Sequence, residues 1–145
     1  MDEIPRYEFQ VSWRHTDANH HLGNAGFLDY ATDCRFKYLA SKGFPPSEME
    51  RLGIGPAVLN DNISYFRELR HMDRFSVTLA LGGVNAKQTR FVFVNRFAHE
   101  DGTERAVLRS MFLWFSRTER KAISPPERLL NAILDLPRDA EFQTL

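Results

Sequence analysis

The chain alternates first with a period of two, then with a period of three to four. Tyr7, Phe9, Val11 and Trp13 are apolar between polar neighbours, which predicts a half-buried strand over 7–13. From Gly23 the period lengthens. Phe27, Tyr30, Ala31, Cys34, Tyr38 and Leu39 recur at helical spacing, while Asp29, Asp33, Arg35 and Lys37 fall mostly on the opposite side. This predicts one long helix ending near Lys42-Gly43, where glycine suits the left-handed C-terminal position. Residues 44–57 are rich in Pro and Gly and predict a loop holding a turn or two of helix.

Beyond that loop the period returns to two. Val58 to Leu69, with Ile63 and Tyr65 in alternation, reads as a strand, as do Phe75 to Leu81 and Phe91 to Phe97. Asp101-Gly102 then marks a hairpin. The run Ala106 to Phe115 is apolar on both parities, so it is expected to be buried on both faces, centrally or under a partner subunit. After Ser124-Pro125-Pro126, the residues Leu129, Leu130, Ile133 and Leu134 predict a short amphipathic helix, and the polar tail from Arg138 is expected to fray. The order of strand, long helix and then several antiparallel strands gives the helix one sheet to bury itself against. The expected class is α+β, a curved antiparallel sheet wrapped around a helix.

Composition sharpens the picture mainly by exclusion. A chain of 145 residues removes roughly 68–70% of its unfolded surface from water, enough for one self-sufficient domain over 1–145. The one cysteine, Cys34, allows no disulfide within the chain and no multi-cysteine zinc site, and it fits a reducing, cytoplasmic setting. Met1 to Arg6 carries acid where a signal peptide has base, and no segment approaches the ~20 apolar residues that span a bilayer. Nineteen Lys and Arg balance nineteen Asp and Glu. Without a basic excess, nucleic acid is not an expected partner, and neither is a membrane.

Candidate chemistry concentrates in His15-Thr16-Asp17-Ala18-Asn19-His20-His21-Leu22-Gly23-Asn24, which packs three of the five histidines and an acid between the first strand and the long helix. The loop delivers polar groups to a helix start, where unpaired N–H groups and the helix dipole favour an anion such as the oxyanion of acyl transfer. A simpler reading makes Asn24 or Asp17 a helix cap and the histidines ordinary loop residues. A third makes His15, Asp17, His20 and His21 metal ligands. Their spacing matches no established ligand motif, so no metal and no cofactor are expected.

The run from Trp13 to Tyr30 resembles the signature of the 4-hydroxybenzoyl-CoA thioesterase family of hotdog-fold acyl-CoA thioesterases: an Asp in a turn, then His, then an Asn opening the helix, then an aromatic. The resemblance places Asp17 on the family's catalytic carboxylate, His21 on its loop histidine, Asn24 on its helix-opening Asn and Phe27 on a position usually Tyr. Gly55 to Val58 and Ile63 to Asp73 look like the family's second strand and following turn, and the closing hairpin and Pro-Pro-Glu helix fit as well. The chain departs from the pattern in four places: His15 stands where the family often has Asp, His20 where it has Gly, Gly23 where it has Asn, and Glu68 where it has Pro. The resemblance implies a hotdog fold with five to six strands around one long helix. It also implies a homodimer or homotetramer with acyl pockets between subunits, and an acyl-CoA or acyl-carrier-protein thioester as substrate.

Thioester hydrolysis needs little help for its leaving group, since alkyl thiols ionise near ~8.5. One carboxylate therefore suffices. Asp17 either attacks the carbonyl or draws a proton from water, and a backbone N–H of Gly23 or Asn24 is the expected oxyanion donor. His21 is expected to orient the loop or the substrate carbonyl. Because an exposed Asp is a feeble base, the working site is expected to be water-poor. Arg67, Arg70, Arg74 and Lys87 read better as a solvated charged turn with Glu68 and Asp73 than as contacts to CoA phosphates. The competing function is a hotdog domain that binds an acyl thioester or apolar ligand without hydrolysing it.

Overall fold

A computed structural model describes residues 3–145. Strand β1 (Arg6–Gln10) leads through a 3-10 turn (Trp13–His15) into helix α1 (Asn24–Ser41), followed by a short helix α2 (Pro46–Leu52). Strands β2 (Ile54–Tyr65), β3 (Arg74–Val84), β4 (Arg90–His99), β5 (Glu104–Ser116) and β6 (Lys121–Ile123) come next, then helix α3 (Glu127–Leu134) and strand β7 (Arg138–Thr144). One sheet holds all seven strands, its main path running β1-β3-β4-β5-β2. All pairings are antiparallel except that of β7, which lies parallel to β3.

Alternation decides which face of the sheet α1 covers. Val77 pairs with Phe97, Leu81 with Phe93, Phe97 with Ala106 and Phe91 with Phe112, so these side chains share one face and are buried. Against them α1 lays Phe27, Tyr30, Ala31, Cys34, Tyr38 and Leu39, none more than 8% exposed. These are the six positions that the helical period marked. At the first turn of α1, Phe27 meets Tyr65 and Phe97 edge-on, each with ring centroids 5.2 Å apart. The core is thereby tied to the end of α1 nearest the candidate loop.

Four expectations need correction. The sheet has seven strands rather than five or six, with two short helices beside α1. The tail does not fray, because β7 continues along the edge of β3 beyond the stretch that β1 pairs. Asp139 of β7 then accepts from Arg96 and Arg109 across the outer face. Strand β5 buries Leu108, Ser110, Phe112 and Trp114 on its inner row, whereas Val107, Met111, Leu113 and Phe115 on the outer row are only half-buried. Finally, Arg35 turns inward to the sheet rather than out to solvent: its Nε donates to Asn95 Oδ1 at 2.8 Å, and Asn95 is fully buried.

Within the described residues no helix is long and apolar enough to cross a membrane.

Candidate active site

Asp17 sits in a tight turn that closes on itself. Its N–H donates to the His21 carbonyl at 2.8 Å and its own carbonyl accepts from His20 N–H at 3.0 Å. One carboxylate oxygen, Oδ1, accepts from the N–H groups of Asn19 at 2.9 Å and His21 at 3.1 Å. Those bonds, the His21 one foremost, hold the Asp17 carboxyl below its ordinary value, so it stays ionised. The residue is exposed.

A second turn clamps this one. Leu22 N–H donates to the Leu69 carbonyl at 2.7 Å, His71 N–H to the His20 carbonyl at 3.0 Å, and His21 bridges to Arg70. The turn is self-braced, with Asp73 Oδ2 accepting from Arg70 N–H at 2.9 Å and Arg70 reaching Glu68 at 3.5 Å. That matches the reading of this segment as a charged turn with local partners. Two of its clamped residues, His20 at φ +62° and Met72 at φ +72°, occupy the left-handed region that favours glycine. His20 stands where the resembled family often has Gly, and the backbone geometry gives the physical reason for that glycine.

The helix start lies beside the turn. Gly23 is the N-cap residue, and a methyl group built on it would stand 3.8 Å from Asp17 Cβ. Its N–H is already engaged, donating to the His15 carbonyl at 2.9 Å. The N–H groups of Gly26 and Phe27 both reach back to the Gly23 carbonyl, while those of Asn24 and Ala25 have no acceptor among the described residues. Gly26 makes the close approach possible: a Cβ there would fall inside contact distance of Leu22 Cδ1 and 3.0 Å from His15 Cβ.

The sequence-predicted residues Asp17, His21, Gly23 and Asn24 therefore share one turn and one helix end. The histidines do not converge. His15 Nδ1 lies 3.1 Å from the Tyr30 hydroxyl and its Nε2 3.3 Å from Asp29. Among the described residues no three His, Cys, Asp or Glu side chains gather as a metal-ligand set.

Sequence reasoning missed a polar cluster under α1. Arg35 donates from Nε to Asn95 and from Nη2 to Ser110 Oγ at 2.6 Å, and Ser110 Oγ in turn donates to Asp61 Oδ1. Burial pulls the Arg35 guanidinium below its usual value, with Asp61 pushing it back up. The four residues come from one helix and three strands, so no local pattern announced them.

Residues 11–133 match the thioesterase-like superfamily. A curated protein of Aquifex aeolicus, named as a putative esterase, is 32% identical over 87 residues, covering 60% of this chain and 65% of that protein. A hypothetical protein of Staphylococcus aureus, solved in complex with CoA, superposes with a TM-score of 0.84 at 22% identity, over 92% of this chain and 84% of its own. A 1,4-dihydroxy-2-naphthoyl-CoA thioesterase from Synechocystis superposes with a TM-score of 0.82 at 22% identity, over 92% and 98%. These two likenesses show the fold, a hotdog-like arrangement of curled antiparallel sheet and helix. With the match to residues 11–133, the chain belongs to the thioesterase-like superfamily.

Proposed function

We propose that the protein hydrolyses an acyl-CoA thioester, with Asp17 as nucleophile or general base. One observation carries the reading: an ionised, outward-facing carboxylate lies beside a helix start whose first N–H groups have no acceptor. Asp17 supplies the attack or activates the water. Asn24 N–H, with the helix dipole behind it, receives the oxyanion, and the engaged N–H of Gly23 makes that residue the hinge of the helix start rather than the donor. His21 orients the turn through its main-chain bonds to Asp17. The thiolate leaves unaided. The resemblance to the 4-hydroxybenzoyl-CoA thioesterases and the CoA carried by the Staphylococcus aureus protein support a CoA thioester as substrate.

An exposed carboxylate with a lowered pKa is a weak base, so the proposal includes a cover. Among the described residues β2 pairs on one side only, with β5, and Val58, Leu59, Tyr65 and Phe66 around it are 46–56% exposed. A second copy pairing along β2 would extend the sheet, bury these side chains and dry the site. The same exposure of Asp17 favours the second reading, a domain that binds an acyl thioester without cleaving it.

Thiol release from a panel of aryl- and alkyl-CoA thioesters, followed for the wild type and Asp17→Asn together, tests both. Turnover lost in Asp17→Asn upholds the hydrolase. Saturable binding without turnover in the wild type upholds the binding domain.

A further inference from the structure

Alone among the described arginines and lysines, Arg105 is buried, 7% exposed. It occupies a fault in the sheet. Ala98 of β4 pairs with Glu104 and Phe97 with Ala106, which leaves Arg105 as the extra residue of a β-bulge. A bulge re-aims a side chain that regular alternation would send to one face or the other, and bulges gather beside active sites.

The guanidinium divides its fork among three separate partners. Nε donates to Thr103 Oγ1 at 2.9 Å, Nη2 lies 3.4 Å from Asp101 Oδ2, and Nη1 donates to the Glu68 carbonyl. The Thr103 hydroxyl first, and the Thr103 N–H with it, hold the Asp101 carboxyl well below its ordinary value, so it stays ionised opposite Arg105. Thr103 and Asp101 belong to the hairpin between β4 and β5. Glu68 belongs to the turn that clamps Asp17.

Arg105 grips three consecutive residues of that turn. Its carbonyl accepts from Phe66 N–H at 2.8 Å and from Arg67 N–H at 3.3 Å, and its side chain takes the Glu68 carbonyl. The next carbonyl, that of Leu69, receives Leu22 N–H, and His71 N–H reaches the His20 carbonyl. Between Leu22 and His20 stands His21, whose N–H donates to Asp17 Oδ1. The other hairpin side chain near the turn, His99, ends 3.7 Å from Asp73 Oδ2, too far for a hydrogen bond. Among the described residues Arg105 therefore makes the only side-chain hydrogen bond from this hairpin to the clamp. A planar fork suits the task, because the single nitrogen of a lysine has no fixed plane in which to serve Thr103, Asp101 and Glu68 together.

We infer that Arg105 is a positioning residue for Asp17, fixing the turn over residues 66–71 and through it the turn that carries the carboxylate. This rests on the reading of Asp17 as the reacting group and adds a residue to its support. Arg105 acts through the clamp and not on the substrate. A misplacement of about 1 Å arising far from the chemistry can cost on the order of 10²-fold in rate.

Amide hydrogen exchange and steady-state kinetics, run on the wild type, Arg105→Lys and Arg105→Met, test this. Arg105→Lys keeps a cation beside Asp101 and loses the fork, while Arg105→Met loses both. The expected result is selective: the Leu22 and His71 amides lose protection about tenfold more than the amides of the central strand β4. With it, kcat falls roughly 10- to 100-fold while KM stays within about twofold, Arg105→Lys falling less than Arg105→Met. Equal loss of protection in β4 and in the clamp shows a purely structural residue and overturns the inference. A loosened clamp with unchanged kcat overturns it too and leaves the hydrolase standing. Where Arg105→Met does not fold, Arg105→Lys carries the same comparison. Where the wild type cleaves no thioester, the hydrolase reading fails and exchange alone decides: selective loss at Leu22 and His71 upholds Arg105 as the brace of the Asp17 turn, and uniform loss or none overturns it.

Discussion

Asp17 is gripped by two main-chain N–H groups no more than four residues away, whereas Asp61 is held by a hydroxyl 49 residues away and faces a half-buried guanidinium. The first grip is local, forms with the turn itself and leaves a negative charge pointing outward. The second exists only when α1, β2, β4 and β5 have come together, and its purpose is to neutralise a cation inside. The contrast separates two uses of a carboxylate in one small domain. Substitutions in the turn should strike activity, and those in the buried cluster should strike stability.

Asp17→Asn gives the largest expected effect. Loss of a positioned acid–base group lowers rates roughly 10²–10⁴-fold. The amide oxygen of Asn still accepts from the N–H groups of residues 19 and 21, so the turn should persist and the melting temperature should barely move. A variant that melts early while keeping its turnover per folded molecule would break the contrast at its strongest point.

Gly26→Ala comes next, because it presses the helix against the turn. The new methyl meets Leu22 and lies 3.0 Å from His15 Cβ, so the loop must shift, at about 1–3 kcal/mol. Gly23→Ala is the paired control: its methyl finds only ordinary contacts, 3.6 Å to the His15 carbonyl and 3.8 Å to Asp17 Cβ, and should cost less than about 1 kcal/mol. Urea unfolding of the two proteins side by side gives the comparison. Equal losses would show that the helix start is not sterically tuned.

Ser110→Ala tests the other region. The hydroxyl is the relay between Arg35 and Asp61, and removing it strands a buried donor for about 1–3 kcal/mol. A stability unchanged in urea would mean that water or a shifted Asp61 replaces it.

The same contrast explains what the sequence made visible. The Asp17 turn is contiguous, so its clustered histidines, its acid and the following helix could be read along the chain, and α1 showed its buried face because packing obeys the 3.6-residue period. Arg35 was misread because it was grouped with Asp29, Asp33 and Lys37, and charges on a helix default to solvent. Its partners Asn95, Ser110 and Asp61 are brought to it only by strand pairing, which no local pattern encodes. The clamp on residues 69–73 is hidden for the same reason, being a set of main-chain bonds between distant turns. Strand β7 escaped notice because its polar residues carry no apolar alternation; its order comes from the edge of β3 and from Asp139 meeting two arginines.

The acid limb of kcat/KM sharpens the comparison in solution. The folded pKa of Asp17 is lowered, so whatever stability its ionisation contributes is present above the unfolded carboxylate value and is lost as pH falls through the folded one. If Asp17 works uncovered, activity that needs the carboxylate holds from neutrality down to below the ordinary Asp value before it falls, whereas the cover proposed above moves the limb up. A limb displaced upward towards neutrality would show a water-poor Asp17, the signature of a site covered by a second copy.

His20→Gly carries the smallest effect and isolates backbone strain from chemistry. At φ +62° a histidine bears the steric cost of the left-handed region, about 1–2 kcal/mol for an L-residue, which glycine avoids. Glycine returns part of that gain through its greater freedom in the unfolded chain, roughly 0.5–1 kcal/mol. The balance is a stabilisation of up to about 1 kcal/mol, read as a small rise in melting temperature. Because the His20 carbonyl accepts from His71 N–H through the main chain, the clamp survives the substitution and Asp17 keeps its place. Turnover should then stay near the wild-type value, since the variant removes only an exposed ring. A drop in melting temperature instead would mean that the ring of His20 braces the turn, and that the turn's grip on Asp17 is not main-chain alone.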